Sequence, residues 1–177
     1  MRIALGADHA GVDLKAQVKG LLDRRRLEYE DFGPHTDASV DYPDYAAEVA
    51  HSVASRSCER GILICGSGIG MAIAANKVRG VRAAPITTPD AARMARRHND
   101  ANVLTLGARN LALDDALAIV EAFLAEPFDG GRHQRRVDKI TAAERAAAVV
   151  SGVTRRRTAT CEAPDAQFTK SEHVPDM

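Results

Sequence analysis

Tryptophan is absent and aromatic residues make up only 4% of this 177-residue chain. That poverty removes the stacking platforms on which single-stranded nucleic-acid binders rely. Net charge is missing too. The 24 Lys and Arg residues balance 24 Asp and Glu, so no global field draws the chain to nucleic acid or to a membrane surface. No apolar run approaches the roughly 20 residues of a membrane span. The opening Met1-Arg2-Ile3-Ala4-Leu5-Gly6 turns polar at once, unlike a secretion signal. Cysteine is scarce. Cys58, Cys65 and Cys161 make no C-x-x-C pair and no zinc spacing, and a sparse, odd count fits a reducing, cytoplasmic setting. The expected partner is therefore a small molecule, not nucleic acid or membrane.

What is present is an alternation of strand and helix. Arg2–Ala7 reads as a strand, followed by a helix near Asp13–Arg26 with Leu14, Val18, Leu21 and Leu22 on one face. Glu28–Phe32 reads as a strand closed by Gly33-Pro34, and Pro43–Arg56 as a helix opened by proline. Further strands are expected at Ile62–Ile64, Val81–Ala84 and Val103–Leu106. Helices are expected from Thr88-Pro89 to Arg97, at Asp114–Ala125 and at Gln134–Val150. Repeated β-α units of this size predict an α/β fold: a Rossmann-like three-layer αβα sandwich around a five-stranded parallel sheet. Residues 1–150 form the expected domain. Residues 151–177 are polar, carry Arg155-Arg156-Arg157 and lack apolar periodicity, so a flexible tail is expected there.

The densest chemical signal is Gly61-Ile62-Leu63-Ile64-Cys65-Gly66-Ser67-Gly68-Ile69-Gly70, running into the Ala-rich stretch from Met71. It reads as a buried parallel strand, a glycine turn and a helix start. Amide N–H groups of the turn and helix would face an anion or a developing oxyanion. Cys65 at the strand end and Ser67 in the turn stand where open α/β sheets place their chemistry. Spacing excludes a dinucleotide fingerprint, since Met71 replaces the required third glycine, and a P-loop, since Gly-Lys-Ser/Thr is absent. A cysteine phosphatase loop would need an arginine soon after Cys65, and the first is Arg79. Cys65 as a small buried hydrophobe remains the structural alternative.

Other chemistry-bearing segments follow strands or close helices: Asp8-His9 after the first strand, Asp41-Tyr42-Pro43 after the second, His98-Asn99-Asp100 at a helix end, and Arg109 after the fifth strand. Parallel topology predicts that acid, imidazole, phenol, thiol and guanidinium groups gather near one sheet edge. The last segment, Gly130-Gly131-Arg132-His133-Gln134-Arg135-Arg136, sets Arg132 and Arg136 four apart. Forked guanidinium groups so spaced suit a phosphate dianion.

In order, Gly6-Ala7-Asp8-His9, Asp41-Tyr42-Pro43, Gly61 to Gly68, Ala74-Ala75-Asn76-Lys77, His98-Asn99-Asp100 and Gly130 to Arg136 resemble the type B ribose-5-phosphate isomerases and their galactose-6-phosphate relatives. The resemblance covers about residues 1–149, with Ala7 where many members carry cysteine and Ser67 where many carry threonine. It implies a metal-independent aldose–ketose isomerase without cofactor, interconverting ribose 5-phosphate and ribulose 5-phosphate. It also implies a homodimer or dimer of dimers with active sites across the interface.

By the same resemblance Cys65 is the base, and the amides of Gly66, Gly68, Ile69 and Gly70, with Ser67, hold the oxyanion. Asn99 polarises the carbonyl. His98 opens the sugar ring with Asp8 or Tyr42 assisting, and His9, Arg109, Arg132 and Arg136 grip the phosphate. Rival expectations are an isomerase of erythrulose, allose or galactose phosphates and a non-catalytic sugar-phosphate sensor. A thiol redox protein is disfavoured by the lack of a resolving cysteine.

Overall fold

A computed structural model of the chain describes the backbone of residues 1–158 and the side chains of residues 1–146. A first unit spans Met1–Thr141 and a second begins at Ala142. Five strands, β1 (Arg2–Ala7), β2 (Glu28–Asp31), β3 (Arg60–Cys65), β4 (Ala83–Pro85) and β5 (Val103–Gly107), form one sheet in the order β2-β1-β3-β5-β4. Every pairing is parallel. The helices are α1 (Val12–Arg24), α2 (Tyr42–Ala54), α3 (Ile69–Ala75), α4 (Pro89–Asn99), α5 (Leu113–Ala125) and α6 (Arg132–Thr158), with a 3-10 turn at His9–Gly11 before α1.

Strand periodicity sorts the core into two halves. Ile62 and Ile64 of β3 pack with Ile3, Leu5, Leu104 and Leu106 against Val18 and Leu22 of α1 and Ile119 and Phe123 of α5. Leu63 and Cys65 face the other way, toward Val49 and Val53 of α2 and Met71 and Ala75 of α3. Alternate residues of one strand therefore bury against opposite helical layers, as the three-layer reading expects. The continuous apolar run of β3 is explained by this double burial.

One strand starts later than expected. β4 begins at Ala83 rather than Val81. The Arg82 amide is taken by the Asn102 side chain at 2.7 Å, and the Val81 amide closes a turn on Val78. Those donors are spent outside the sheet, so pairing starts later. Helix α6 starts at Arg132 and continues to Thr158, eight residues past the expected Val150; of the expected tail, residues 159–177, including Cys161, lie outside the described residues.

Helix direction decides what the fold brings together. Each helix leaves the carboxyl end of a strand and returns toward the amino end of the next. For α4, eleven residues at about 1.5 Å each recover the length of the sheet. Its end is tied to the amino edge: the Asn99 carbonyl accepts from Arg82, just before β4, and the Asn102 carbonyl, just before β5, accepts from Gly61.

Candidate active site

At the carboxyl edge, β3 delivers Cys65 into a turn shaped by close approaches. Gly68 holds φ +78, the left-handed region that glycine adopts freely. Its amide donates to Cys65 Sγ at 3.1 Å, and its carbonyl accepts from the buried Thr105 hydroxyl at 2.8 Å. The carbonyls of Cys65 and Gly66 accept from the amides of Ala108 and Arg109 at 2.8 and 3.1 Å, which seats the turn on the loop after β5. A Cβ at Gly107 would stand 2.8 Å from the Ser67 carbonyl, so only glycine lets the turn lie there. Cys65 itself is 5% exposed, while Ser67 is open to solvent. The Ser67 hydroxyl accepts from the Ile69 amide at 3.4 Å.

Three of the predicted residues close around this turn. The Arg109 side chain lies across Gly66, with Cδ, Nε and Cζ all 3.4 Å from where a Cβ would stand. The Tyr42 ring lies on Gly70, its Cζ 2.7 Å from such a Cβ. Asp8 is buried next to β3, its amide bonded to the Ile64 carbonyl. The Asp8 Oδ1 accepts from the Ala10 and Gly11 amides at 2.9 and 3.1 Å and so caps the 3-10 turn that carries His9. The His9 Nδ1 in turn accepts from the Val40 amide at 3.4 Å.

The remaining predicted residues stand elsewhere. His98 and Asn99 close α4 at the amino edge of the sheet. There the His98 ring stacks on His133, centroids 4.3 Å apart and planes 4° from parallel. The Arg132 Nε donates to His133 Nε2 at 3.3 Å, and Arg136 lies one turn further along α6. Arg97 clasps Asp129, its Nε within 3.2 Å of both carboxylate oxygens, and so ties the end of α4 to the loop before α6. Burial, then the neighbouring His98, Arg132 and Arg136 side chains, hold the His133 imidazole below its ordinary pKa, with Asp129 opposing. His98, Asp129 and His133 offer ligand atoms within 4.8 Å of one another. The lone pairs of two stacked imidazoles lie in separate parallel planes, so as they stand they do not converge on one metal position.

The expected gathering at a single edge is therefore corrected. Asp8, His9, Tyr42, Cys65, Ser67 and Arg109 form one cluster; His98, Asn99, Arg132 and Arg136 form another. The length of β5 alone separates the two edges by about 13 Å. A helix that starts after a strand must end at the opposite edge, so residues at its carboxyl end do not join the strand-end loops.

Two contributors escaped the sequence reading. Thr105 is a buried hydroxyl inside the apolar strand Val103-Leu104-Thr105-Leu106, and that polar interruption was a readable sign. His133 lay within the arginine segment already singled out, but only its stacking on His98 gives it a part.

Comparison with known proteins yields a consistent result. The model of the family described as Ribose/Galactose Isomerase matches residues 3–140. Ribose-5-phosphate isomerase B of Escherichia coli strain K12 is 46% identical over 143 residues, spanning 81% of this chain and 96% of that protein. The structure of ribose-5-phosphate isomerase B from Clostridium thermocellum superposes with a TM-score of 0.82 at 51% identity, covering 83% of this chain and 99% of the other. That of ribose-5-phosphate isomerase B from Mycoplasma genitalium, solved with bound ribulose-5-phosphate, gives a TM-score of 0.78 at 44% identity over 81% of this chain and 96% of the other.

Proposed function

The chain belongs to the ribose/galactose isomerase family and is an aldose–ketose isomerase, and we propose that it interconverts ribose 5-phosphate and ribulose 5-phosphate through an enediolate, with Cys65 as the base. The observation that carries this reading is the Cys65 sulfur, buried at a strand end and met by the Gly68 amide inside a turn covered by Arg109 and Tyr42. A base for carbon acids needs a fixed position beside donors for the developing oxygen charge. This turn supplies both within four residues.

In the proposed cycle His98, with Asp8 or Tyr42, transfers the protons that open the sugar ring. The Cys65 thiolate takes the proton from C2 of the open aldose and returns it to C1, while O2 loses a proton and O1 gains one. Amides of Gly66 through Gly70, with Ser67, stabilise the enediolate; donors so placed are typically worth roughly 3–4 kcal/mol each. Asn99 polarises the carbonyl. His9, Arg109, Arg132 and Arg136 hold the phosphate, and that remote grip orients the reacting carbons. The route calls on no metal. Buried, unpaired Cys58 and Cys65 suit a reducing, cytoplasmic compartment, and among the described residues no helix is long and apolar enough to cross a membrane.

These roles require both clusters in one pocket, and one chain holds them at opposite sheet edges. We propose that a second copy completes each site, the glycine turn of one protomer facing the His98–Arg136 cluster of its partner. The exposed face of α3 supports this: Ile69 and Ile73, 56% and 57% exposed, follow the turn one helical step apart, an apolar pair suited to burial against another chain.

The test is turnover of ribose 5-phosphate by chelator-treated protein, beside Cys65→Ala. Robust activity that the variant loses supports substrate and base together. Inactivity on ribose 5-phosphate, with turnover of erythrulose, allose or galactose phosphates, would reassign the substrate. Binding of all without turnover would make the chain a sensor.

A further inference from the structure

The cluster around His98 rests on a network of charged groups to which the proposed chemistry gives no part. Arg82, in the turn before β4, reaches the end of α4. Its Nε donates to the Asn99 and Asp100 carbonyls at 3.0 and 2.9 Å, and its Nη2 to the Asp100 carbonyl and Oδ2 at 2.7 and 2.8 Å. Asp100 is the left-handed residue that closes the helix, at φ +45. Its other carboxylate oxygen accepts from Arg96 Nη1 at 2.8 Å, and the same nitrogen donates to the Ala101 carbonyl at 2.6 Å. Arg96 is 2% exposed and packs over the Phe123 ring. The Arg82 backbone is itself held by the Asn102 side chain, which also donates to the Gly80 carbonyl.

The last carbonyls of a helix have no partners within it, and such ends fray. Here the last turn is gripped by a planar fork that also complements the negative end of the helix dipole. A lysine, with one mobile ammonium, cannot span the same carbonyls and carboxylate together. His98 and Asn99 are the two residues immediately before the gripped Asp100. The grip therefore reaches the orientation of the His98 ring on His133.

We infer that Arg82, acting through Asp100 and the Asn99 carbonyl, is a positioning residue that fixes His98 and Asn99 for proton transfer. The inference rests on the isomerase reading for its kinetic consequence and on geometry alone for its structural one. The variants are Arg82→Gln, Arg82→Lys and Asp100→Asn, with Arg2→Gln as a surface control, since the Arg2 side chain is exposed and pairs, among the described residues, with the half-buried Glu30. Two readouts are taken: kcat and KM for ribose 5-phosphate, and the position of the His98 ring proton resonance, which the stacked His133 ring displaces.

Arg82→Gln is expected to lower kcat on the order of tenfold or more, since misplacement of a catalytic group by about an ångström is that costly. KM should change far less than kcat, Arg82→Lys should recover part of the loss, and the His98 resonance should move toward that of an unstacked ring. An unchanged resonance with wild-type kcat overturns the inference. So does a loss of thermal stability with the resonance unmoved, which would make Arg82 merely structural. Should Arg82→Gln fail to fold, Asp100→Asn decides, because it keeps the shape and removes the charge that Arg82 and Arg96 share. Should the wild-type protein turn over no ribose 5-phosphate, the functional reading falls, and the resonance still decides whether Arg82 positions His98.

Discussion

The two edges of the sheet carry clusters built by different means. At the carboxyl edge the backbone does the work: glycines at 66, 68, 70 and 107 let the Cys65 turn, Arg109 and Tyr42 approach within van der Waals distance. At the amino edge side chains do it: Arg82, Arg96 and Arg97 hold Asp100 and Asp129, and through them the stacked imidazoles. The first cluster is set by sterics, which tolerate almost no added atom. The second is set by charge-assisted hydrogen bonds, which respond to salt, protonation and replacement of arginine by lysine. The division suits the proposed roles, a rigid cradle for the enediolate facing a polar group that moves ring protons and binds phosphate.

The strongest way to break this comparison is at Cys65. Cys65→Ala should lower turnover of ribose 5-phosphate about a thousandfold or more, within the range spanned by positioned bases, while the melting temperature stays close to wild type. Turnover near wild type would leave the carboxyl edge without its base and reduce it to a binding surface.

The next test joins the edges. Cys65→Ala and Arg136→Ala, each impaired alone, are mixed and refolded together. If each pocket takes one edge from each protomer, random pairing restores about a quarter of wild-type activity, because half of the dimers are mixed and each holds one intact site. No recovery, with mixed dimers verified by mass, would put both edges of a site in one chain and overturn the shared pocket.

Sterics at the turn come third. Gly107→Ala sets a methyl group 2.8 Å from the Ser67 carbonyl, and kcat should fall on the order of a hundredfold because the turn must shift. A far smaller loss would show the turn to be as adaptable as the polar edge. Crystallography of the variant would reveal the displaced Ser67.

The smallest expected effect concerns stability against pH. Asp31, at the end of β2, is engaged by Lys15 Nζ and Lys19 Nζ at 2.7 and 2.8 Å and by the Gly33 amide at 3.0 Å. Burial raises its pKa, but these donors outweigh it and bring the carboxyl down to about 2 from 3.8. A depressed carboxylate stabilises the fold above its unfolded pKa and loses that contribution as pH falls through the folded one. His133 adds a cost in the same direction: its lowered pKa means the unfolded chain binds the proton first as pH falls below about 6.5. Urea midpoints should therefore hold near neutrality, begin to fall below the ordinary histidine pKa and drop further between pH 4 and 2. Asp31→Asn should remove the lower step. A lower step that survives in the variant would assign it to other carboxylates.

Much of this was legible in the residues. Hydrophobic runs and turn chemistry located each strand to within two residues, and Thr88-Pro89 marked a helix start whose cap the Thr88 hydroxyl does form with the Ala91 amide. Gly66-Ser67-Gly68 announced a tight turn beside a thiol. Val81 was misread because its apolar character suits a strand, whereas the Asn102 side chain, twenty residues after Arg82, withdraws the Arg82 donor from the sheet. His98 and Asn99 were placed at the wrong edge because motif reading follows strand ends, while these residues close a helix.

Local pattern thus determined what is written in neighbouring residues: strand and helix alternation, the glycine turn, the arginine pair and the family. Tertiary structure alone decided which of those pieces share a space, that Arg109 lies over Gly66 and His98 over His133, and that the two groups stand apart. Periodicity and turn propensity act over a few residues and can be read along the chain. Proximity between distant segments follows from helix direction, sheet order and side-chain contacts that exist only once the chain has folded.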